Sequence, residues 1–539
     1  MSQDTRDARS GNAKKHVPTL LKPYQEENTM KLKIQTLFVV ITVVSLVVTA
    51  VILYSFNKQL HFFALRLSSR SPSPPHIVFI VADDLGWSDV SWHNPNMITP
   101  NLEKLARSGL ILNYSYVAPR CSPTRASLMT GYYPHRIGLQ YQVINHGDRS
   151  LPLSFDILPR KLKNLVYATH IVGKWHLGLC SWKHTPTFRG FDSFFGYYSG
   201  REDYYTHKIG KIYDFNFNTK VYNDTQQQYS TFLFRDRAVD IIQQHNPSVP
   251  LFLYLPFQAV HGTLQVPPKY SNMYSHLNRN RATYSGMVTA MDEAIGDVVS
   301  ALEKRGLSDN LLLVFLSDNG GRPLKGGYNW PLRGIKNTLW EGGTRAVNFV
   351  YSKTLLKDSS SVSNHLMNAA DWLPTFLAAA GSKHVDLDID GVNQWDVISK
   401  GAQPVRSEHV YNIEGRAAIR VGKYKLIKGD PGFQLGEHQP VFDFIGRGRR
   451  TANGWIAPED IGSEKTRFGK PIAKRYGLFN LHEDPLEEHD ISEDFPDIVE
   501  KLIGRLHHHM NLSVPYVKST PMTKEYSRLN VMIPGWCDE

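Results

Sequence analysis

The chain has 539 residues, 41% hydrophobic and 21% charged, with 61 basic side chains against 50 acidic ones and a net charge of +11. That is the composition of a globular protein long enough for one large domain and a smaller one. The positive charge is dispersed, with no basic block or nucleic-acid motif, so it argues against a nucleic-acid partner and is compatible with polyanionic substrates.

Residues 1–36 are polar and mixed in charge and read as a disordered tail. Residues 37–56, LFVVITVVSLVVTAVILYSF, are uncharged and about one membrane thickness long. Two readings stand: a signal-anchor that spans the membrane once, or a cleaved signal peptide beginning at Met30. Lysines 22, 31 and 33 before the run and Lys58, Arg66 and Arg70 after it leave the orientation undecided. Three glycosylation sequons, at Asn113, Asn223 and Asn511, all follow the run and favour a lumenal or extracellular main domain. A linker, residues 57–75, ends in Ser-Pro-Ser-Pro-Pro.

From residue 76 the pattern changes. HIVFIVADD starts as a short apolar run rich in β-branched residues, which suits a strand buried on both faces. TPNLEKLARSG follows as a helix, with Thr99 as N-cap, Pro100 at its first position and Gly109 at its end. YATHIVGKWH (167–176), LFLYLPFQAVH (251–261) and LLLVFLSDNGG (311–321) repeat the strand theme. Between the last two lies a helix whose apolar stripe is Tyr284, Met287, Met291, Ile295, Val298 and Leu302. The alternation predicts an α/β fold with a mainly parallel sheet over residues 76–405. Residues 406–539 read as a smaller α+β domain: strands in GRAAIRVGKYKLIKG, a closing helix in PDIVEKLIGRLHHHM, and a long loop over 434–474. His507, His508 and His509 read as a surface tract, since successive helical residues do not share a face.

Each strand ends in polar residues: Asp83 and Asp84, then Lys174 and His176, then His261, then Asp318 and Asn319. Parallel strands would bring all four groups to one edge, where open α/β sheets bind ligands. Asp83-Asp84 alone would be a turn or a cap. Joined by Asp318 and Asn319, the set supplies hard oxygen ligands that suit Ca²⁺ or Mg²⁺.

PRCSPTRASLMTGYYPHR, residues 119–136, holds Cys121, one of three cysteines with Cys180 and Cys537. An odd count allows at most one disulfide pair. Ser122 and Pro123 read as the N-cap and first residue of a short helix stopped by Gly131, with Arg125 one turn on. Cys121 at the positive end of that helix favours a thiolate or another anionic nucleophile. A buried structural cysteine and a cysteine hydrolase are the competing readings. The latter has no need of a carboxylate metal site.

Cys121-Ser122-Pro123-Thr124-Arg125, continuing to Thr130-Gly131, resembles the sulfatase signature C-x-P-[ST]-R, and Lys174-Trp175-His176-Leu177-Gly178 resembles that family's second signature. GFDSFFGYYSGREDYYTH, QAVHGTLQVPPKY and WPLRGIKNTLWEGGTR are similar to the arylsulfatase B subgroup, the N-acetylgalactosamine-4-sulfatases. The disulfide cysteines of secreted vertebrate members are missing.

The resemblance implies an alkaline-phosphatase-like sandwich and a sulfuric ester hydrolase acting on sulfated sugars, in the secretory pathway. A formylglycine-generating enzyme would convert Cys121 to Cα-formylglycine, whose hydrate attacks sulfur. Asp83, Asp84, Asp318 and Asn319, completed by residue 121, would bind one Ca²⁺, with Mg²⁺ as the other candidate. Arg125 and Lys174 would hold the hydrate, His176 would assist its second hydroxyl, and His261 and Lys336 would face the sulfate. His135 and Arg136 would be structural. The alternatives are a phosphoryl or phosphonate hydrolase of the same superfamily, and an inactive membrane-tethered binding protein. The destination would be a single-pass membrane protein, or the lysosome or exterior if the leader is cleaved.

Overall fold

The structure, a computed structural model, describes residues 22–68, 73–140, 143–144, 147–225, 227–382, 388–413, 415–429, 431, 449–451, 454–456, 476–516, 519 and 530–538. It divides into two units, 1–73 and 74–539. Of the first, the described part is one helix, Lys22–Ser68. Within it Met30–Tyr54, 25 residues, is long and apolar enough to cross a membrane. Thr36, Thr42 and Thr49 turn their hydroxyls back onto the carbonyls of Leu32, Phe38 and Ser45 at 2.7–2.8 Å, so these three hydroxyls are satisfied inside the helix. The helix outruns the expected 37–56 segment. Residues 22–36, expected as tail, and 57–68, expected as linker, are helical, because a nucleated helix propagates cheaply through flanks with few breakers.

The second unit is built on a ten-stranded sheet. Across it run Ser361–Asn368, Leu110–Tyr116, Asn348–Tyr351, Leu311–Ser317, His76–Ala82, Leu251–Pro256, Ala168–Lys174, Ser193–Tyr197, Asn216–Phe217 and Lys220–Val221. The five strands from Leu311–Ser317 to Ser193–Tyr197 are mutually parallel. Antiparallel strands flank them on either side. Every residue of His76–Ala82 is buried. Val78, Ile80 and Ala82 enter one core with the helices Ser230–Gln244 and Arg279–Lys304; Ile77, Phe79 and Val81 enter the other with Trp372–Ala379. Alternate residues feed opposite faces, which is why this strand reads as an unbroken apolar run.

The strands stop sooner than the apolar runs suggested, at Lys174, Pro256 and Ser317. The polar residues therefore sit in the loops just past the sheet edge. The helix Pro100–Ser108 has Thr99, Pro100 and Gly109 at the expected positions, but the Thr99 hydroxyl donates to Ser91 Oγ at 2.8 Å instead of capping.

A second sheet, antiparallel, contains Glu408–Asn412, Ala417–Val421, Tyr424–Lys428 and Tyr476–Asn480, and carries the helix Pro496–Asn511 on one face. Its buried Lys425 pairs with Glu487 at 2.7 Å and with Glu341 at 3.0 Å, and the second pair ties it to the segment between two strands of the first sheet. Two corrections arise here. The chain's end does not stay with the small sheet: Tyr213 N donates to Asn530 O at 2.8 Å and Met532 N to Tyr213 O at 2.7 Å, on the large domain. The three-histidine tract is not all surface. His509 is buried and bonded to Glu408 at 2.6 Å, because position 509 falls on the helix face that meets the sheet. Of the expected loop 434–474, only the hairpin Arg449–Thr451 with Gly454–Ile456 lies among the described residues.

Candidate active site

The parallel register sets up the site. His76 to Ala82 pair in step with Leu311 to Ser317, so Asp83 and Asp318 leave their strands side by side. Backbone bonds extend the ladder: Asp318 N to Ala82 O at 3.0 Å, Asp83 N to Ala259 O at 2.9 Å and Val260 N to Asp83 O at 2.7 Å. His261, Asp83, Asp84, Asp318 and Asn319 are thereby drawn to one edge, as the strand-end reading expected.

Cys121 comes from a short helix across the edge. The helix begins at Cys121 itself, with Arg120 as N-cap, two residues before the expected N-cap Ser122. The Ser122 hydroxyl instead accepts from Ile144 N at 3.0 Å, which removes it from capping. Gly131 ends the helix in the left-handed conformation, φ 75°, as expected. Arg125, one turn on, is fully buried and donates to Asp318 Oδ2 through Nε at 3.1 Å and NH2 at 2.8 Å. The loop carrying Lys336 is held by Lys336 N to Gly321 O at 3.1 Å and Asn337 N to Pro119 O at 2.9 Å.

The result is a buried nest of alternating charge. Lys174 pairs with Asp83 and Lys336 with Asp84. Arg125 lies 3.7 Å from Asp83 as well. Lys336 Nζ is 3.9 Å from Cys121 Sγ. His261 Nε2 is 3.8 Å from Asp84 Oδ2, while its Nδ1 donates to Gly262 O at 2.5 Å. The pKa directions follow from this packing. Burial alone would raise Asp83, but Lys174, His261 and Arg125 hold it well below the usual carboxylate range. Asp318 is pushed up to about 6 by burial and by the Asp83 carboxylate. Burial opposes the charge on Lys336, yet Asp84 outweighs it and raises the group. Burial lowers His261 to about 4 and drives His176 well below the ordinary histidine range, with Lys174 adding to the second effect.

The donor set fits a hard cation. Asp83 Oδ1 and Asn319 Oδ1 are buried and have no hydrogen-bond partner. Asn319 Nδ2 is committed to Asp84 Oδ1 at 2.8 Å and Gly320 O at 3.1 Å, which turns its oxygen toward the carboxylates. Ligand atoms of Asp83, Cys121 and Asp318 lie within 4.8 Å of one another, as do those of Asp83, Asp84 and His261. Unsatisfied buried oxygens are costly, and a divalent cation is the partner such oxygens suit. The buried atoms Arg125 NH1 and both ring nitrogens of His176 are likewise without partners and can receive a ligand's oxygens or protons.

Three features were invisible in the residue pattern. Asp84 and His176 have left-handed backbones, φ 61° and 58°, strain of the kind that collects at working sites. Gly200 packs against His176: a Cβ there would lie 2.7 Å from Nε2. Tyr204 fixes the His261 carbonyl by a 2.9 Å hydrogen bond. Close by, a cavity of about 230 Å³ is lined by Arg201, Glu202, Asp203, Lys208 and Thr263. His135 is buried against Tyr133 and His509, and Arg136 pairs with Asp388 and Asp390, both outside this nest. Of the sequons, Asn113 is engaged by Arg345 at 2.6 Å and by Asn364 at 2.7 Å, while Asn223 and Asn511 are exposed.

Comparison with known proteins agrees with this geometry. The family model described as Sulfatase matches residues 75–382. Arylsulfatase J of Mus musculus is 39% identical over 498 residues, covering 87% of this chain and 81% of that protein. N-acetylgalactosamine-6-sulfatase of Mus musculus is 32% identical over 394 residues, 67% of this chain and 73% of that one. The crystal structure of Ps i-CgsB in complex with k-i-k-neocarrahexaose superposes with a TM-score of 0.70 at 29% identity, covering 85% of this chain and 98% of that one.

Proposed function

The chain belongs to the sulfatase family and is a sulfuric ester hydrolase, and from that premise we propose that it removes sulfate from sulfated sugars at the nest around Cys121. One observation carries the reading: Cys121 heads its helix within reach of Lys336 and beside the Asp83–Asp318 oxygens. Neither a structural cysteine nor a cysteine hydrolase needs those neighbours.

Asp83, Asp84, Asp318 and Asn319, with residue 121, would hold one divalent cation, and their all-oxygen character favours Ca²⁺. The cation and the formylglycine derived from Cys121 would supply Lewis acidity and the attacking oxygen. The remaining roles fall to side chains of this chain. Arg125, Lys174 and Lys336 offset charge on the sulfuryl oxygens and orient residue 121. His261 commits Nδ1 to Gly262 O, so Nε2 is the atom that faces the site and would pass a proton to the departing alcohol. His176, neutral and with both nitrogens uncommitted, can take a proton at residue 121.

For the substrate we propose a sulfated N-acetylgalactosamine unit of a glycosaminoglycan, 4-sulfated as the subgroup motifs suggest. The name of the Mus musculus relative makes the 6-sulfate the direct competitor. The Lys22–Ser68 helix supports entry to the secretory route, as a single-pass anchor with the catalytic unit in the lumen or outside. Asn223 and Asn511 are the sequons placed to carry glycans there.

The test is peptide mass spectrometry of residue 121 in protein from eukaryotic secretory cells, followed by sulfate release from matched 4- and 6-sulfated sugars. Formylglycine is about 18 Da lighter than cysteine. Unmodified Cys121, in cells that convert another sulfatase, ends the formylglycine reading. Release from the 6-sulfate alone corrects the position.

A further inference from the structure

Cys121 is committed to the active site, which leaves Cys180 and Cys537 as the only possible cysteine pair in the chain. They are far apart in the sequence and in one place in the fold. Cys180 follows the Lys174–His176 segment and is buried; Cys537 is exposed, two residues from the chain's end. Four bonds dock the two strands of chain beside them. Gly535 N and Cys537 N both donate to Cys180 O, at 2.8 and 3.0 Å. Asp538 accepts from Trp182 N at 3.1 Å and from the Ser181 hydroxyl. The Cys180 thiol donates to Asp148 O at 3.4 Å, and the neighbouring Cys537 thiol helps to raise its pKa.

We propose that Cys180 and Cys537 form a disulfide that fastens the C-terminus to the loop behind the catalytic Lys174 and His176. The inference rests on the secretory delivery proposed above, since oxidising compartments are where such bonds persist. The reaction consumes a disulfide-bearing oxidant. The exposed Cys537 thiolate attacks the oxidant's S–S bond, forming a mixed disulfide and releasing one oxidant thiol. Cys180 then attacks the Cys537 sulfur and expels the second oxidant thiol. Two protein thiols are oxidised, one oxidant disulfide is reduced to two thiols, and the protons balance. Burial and the adjacent Cys537 thiol push Cys180 up to about 12, so it is the poor starter and the natural resolving group.

The crosslink would have mechanical meaning. Before reaching Cys180, the terminal segment pairs with Tyr213 and buries Met532 in the core. It thus bridges the hairpin beyond the 201–210 loop and the loop behind His176, the two walls beside the site. Covalent closure keeps both in register and removes freedom from the unfolded chain.

The test is a non-reducing peptide map, with free thiols alkylated first, of full-length protein from eukaryotic secretory cells. A Cys180–Cys537 linked peptide that vanishes on reduction is expected, and Cys537→Ser should then leave activity unchanged while lowering the Tm by several degrees. Both cysteines alkylated, in protein that carries formylglycine at 121 or a glycan at Asn223, overturns the disulfide and leaves the secretory reading intact. Both alkylated with neither mark means the chain never met that compartment. The purified protein is then exposed to oxidised glutathione: formation of the linked peptide supports the pair, and persistent free thiols reject it.

Discussion

Lys336 stands 3.9 Å from Cys121 and also pairs with Asp84, so one ammonium serves two parts of the site. It is the single cation that touches both residue 121 and a carboxylate from the first strand's end among the contacts described. Lys336→Ala should lower kcat/KM by about 10²-fold or more, as when a preorganised charge donor is removed. Lys336→Arg should not restore it, because a planar guanidinium cannot occupy the position of a compact ammonium. Steady-state kinetics on protein with residue 121 already converted decides this. An unchanged kcat/KM removes Lys336 from the site.

The orphaned oxygens of Asp83 and Asn319 lead to a second expectation. Chelation should abolish sulfate release and lower the Tm, since an ion bound only by the folded state stabilises it by mass action. Ca²⁺ should restore both, and Mg²⁺ less fully, given its demand for tight octahedral geometry. Full activity and an unmoved Tm after exhaustive chelation and metal analysis would mean no cation is needed.

Gly200 tests the role of His176 without touching it. A methyl group at 200 would meet Nε2 at 2.7 Å and the ring must shift. Misplacement of a reacting group by about an ångström can cost on the order of 10²-fold. Gly200→Ala should therefore cut kcat strongly while the Tm changes little. Equal loss of both would make Gly200 a packing residue only.

Glu408 gives a pH signature on stability away from the site. Burial would raise it, but hydrogen bonds from His509 and Arg505 hold it at about 2, below the ordinary 4.5. A depressed carboxylate stabilises the fold above its unfolded pKa, and the benefit fades as pH falls through the folded value. The stability gap between wild type and Glu408→Gln should be steady above about pH 5, shrink below 4.5 and vanish near 2. Denaturant midpoints across that range measure it. A gap that does not change with pH would mean the depression is absent.

The strand ends were legible because a parallel sheet buried on both faces must be apolar along its length and polar where it stops. His76–Ala82 runs into Asp83-Asp84, and Leu311–Ser317 into Asp318-Asn319. Lys336 was different. Nothing in a Gly-rich loop marks a lysine as buried, and only its place in a family motif pointed to it. The start of the Cys121 helix was misjudged by two residues because the Ser122 hydroxyl has a better partner in Ile144, a contact between distant loops. The burial of His509 escaped for a related reason: helical spacing tells which residues share a face, but not which face a neighbouring sheet will cover. The left-handed backbones of Asp84 and His176 leave no trace in residue type at all.

Cys121 is only 3% exposed, at the head of a helix whose ten residues are all buried. On the reading proposed above, another protein must reach that side chain and oxidise it, and in the finished fold it has no way in. Maturation would then be a race: conversion has to come before the helix packs, while the chain is still being threaded and is open. A molecule that folds first is well formed and permanently blank. Incubating folded, unconverted protein with the modifying enzyme should leave residue 121 as cysteine, whereas the unfolded chain should accept the change; conversion of the folded form would show that the site breathes open.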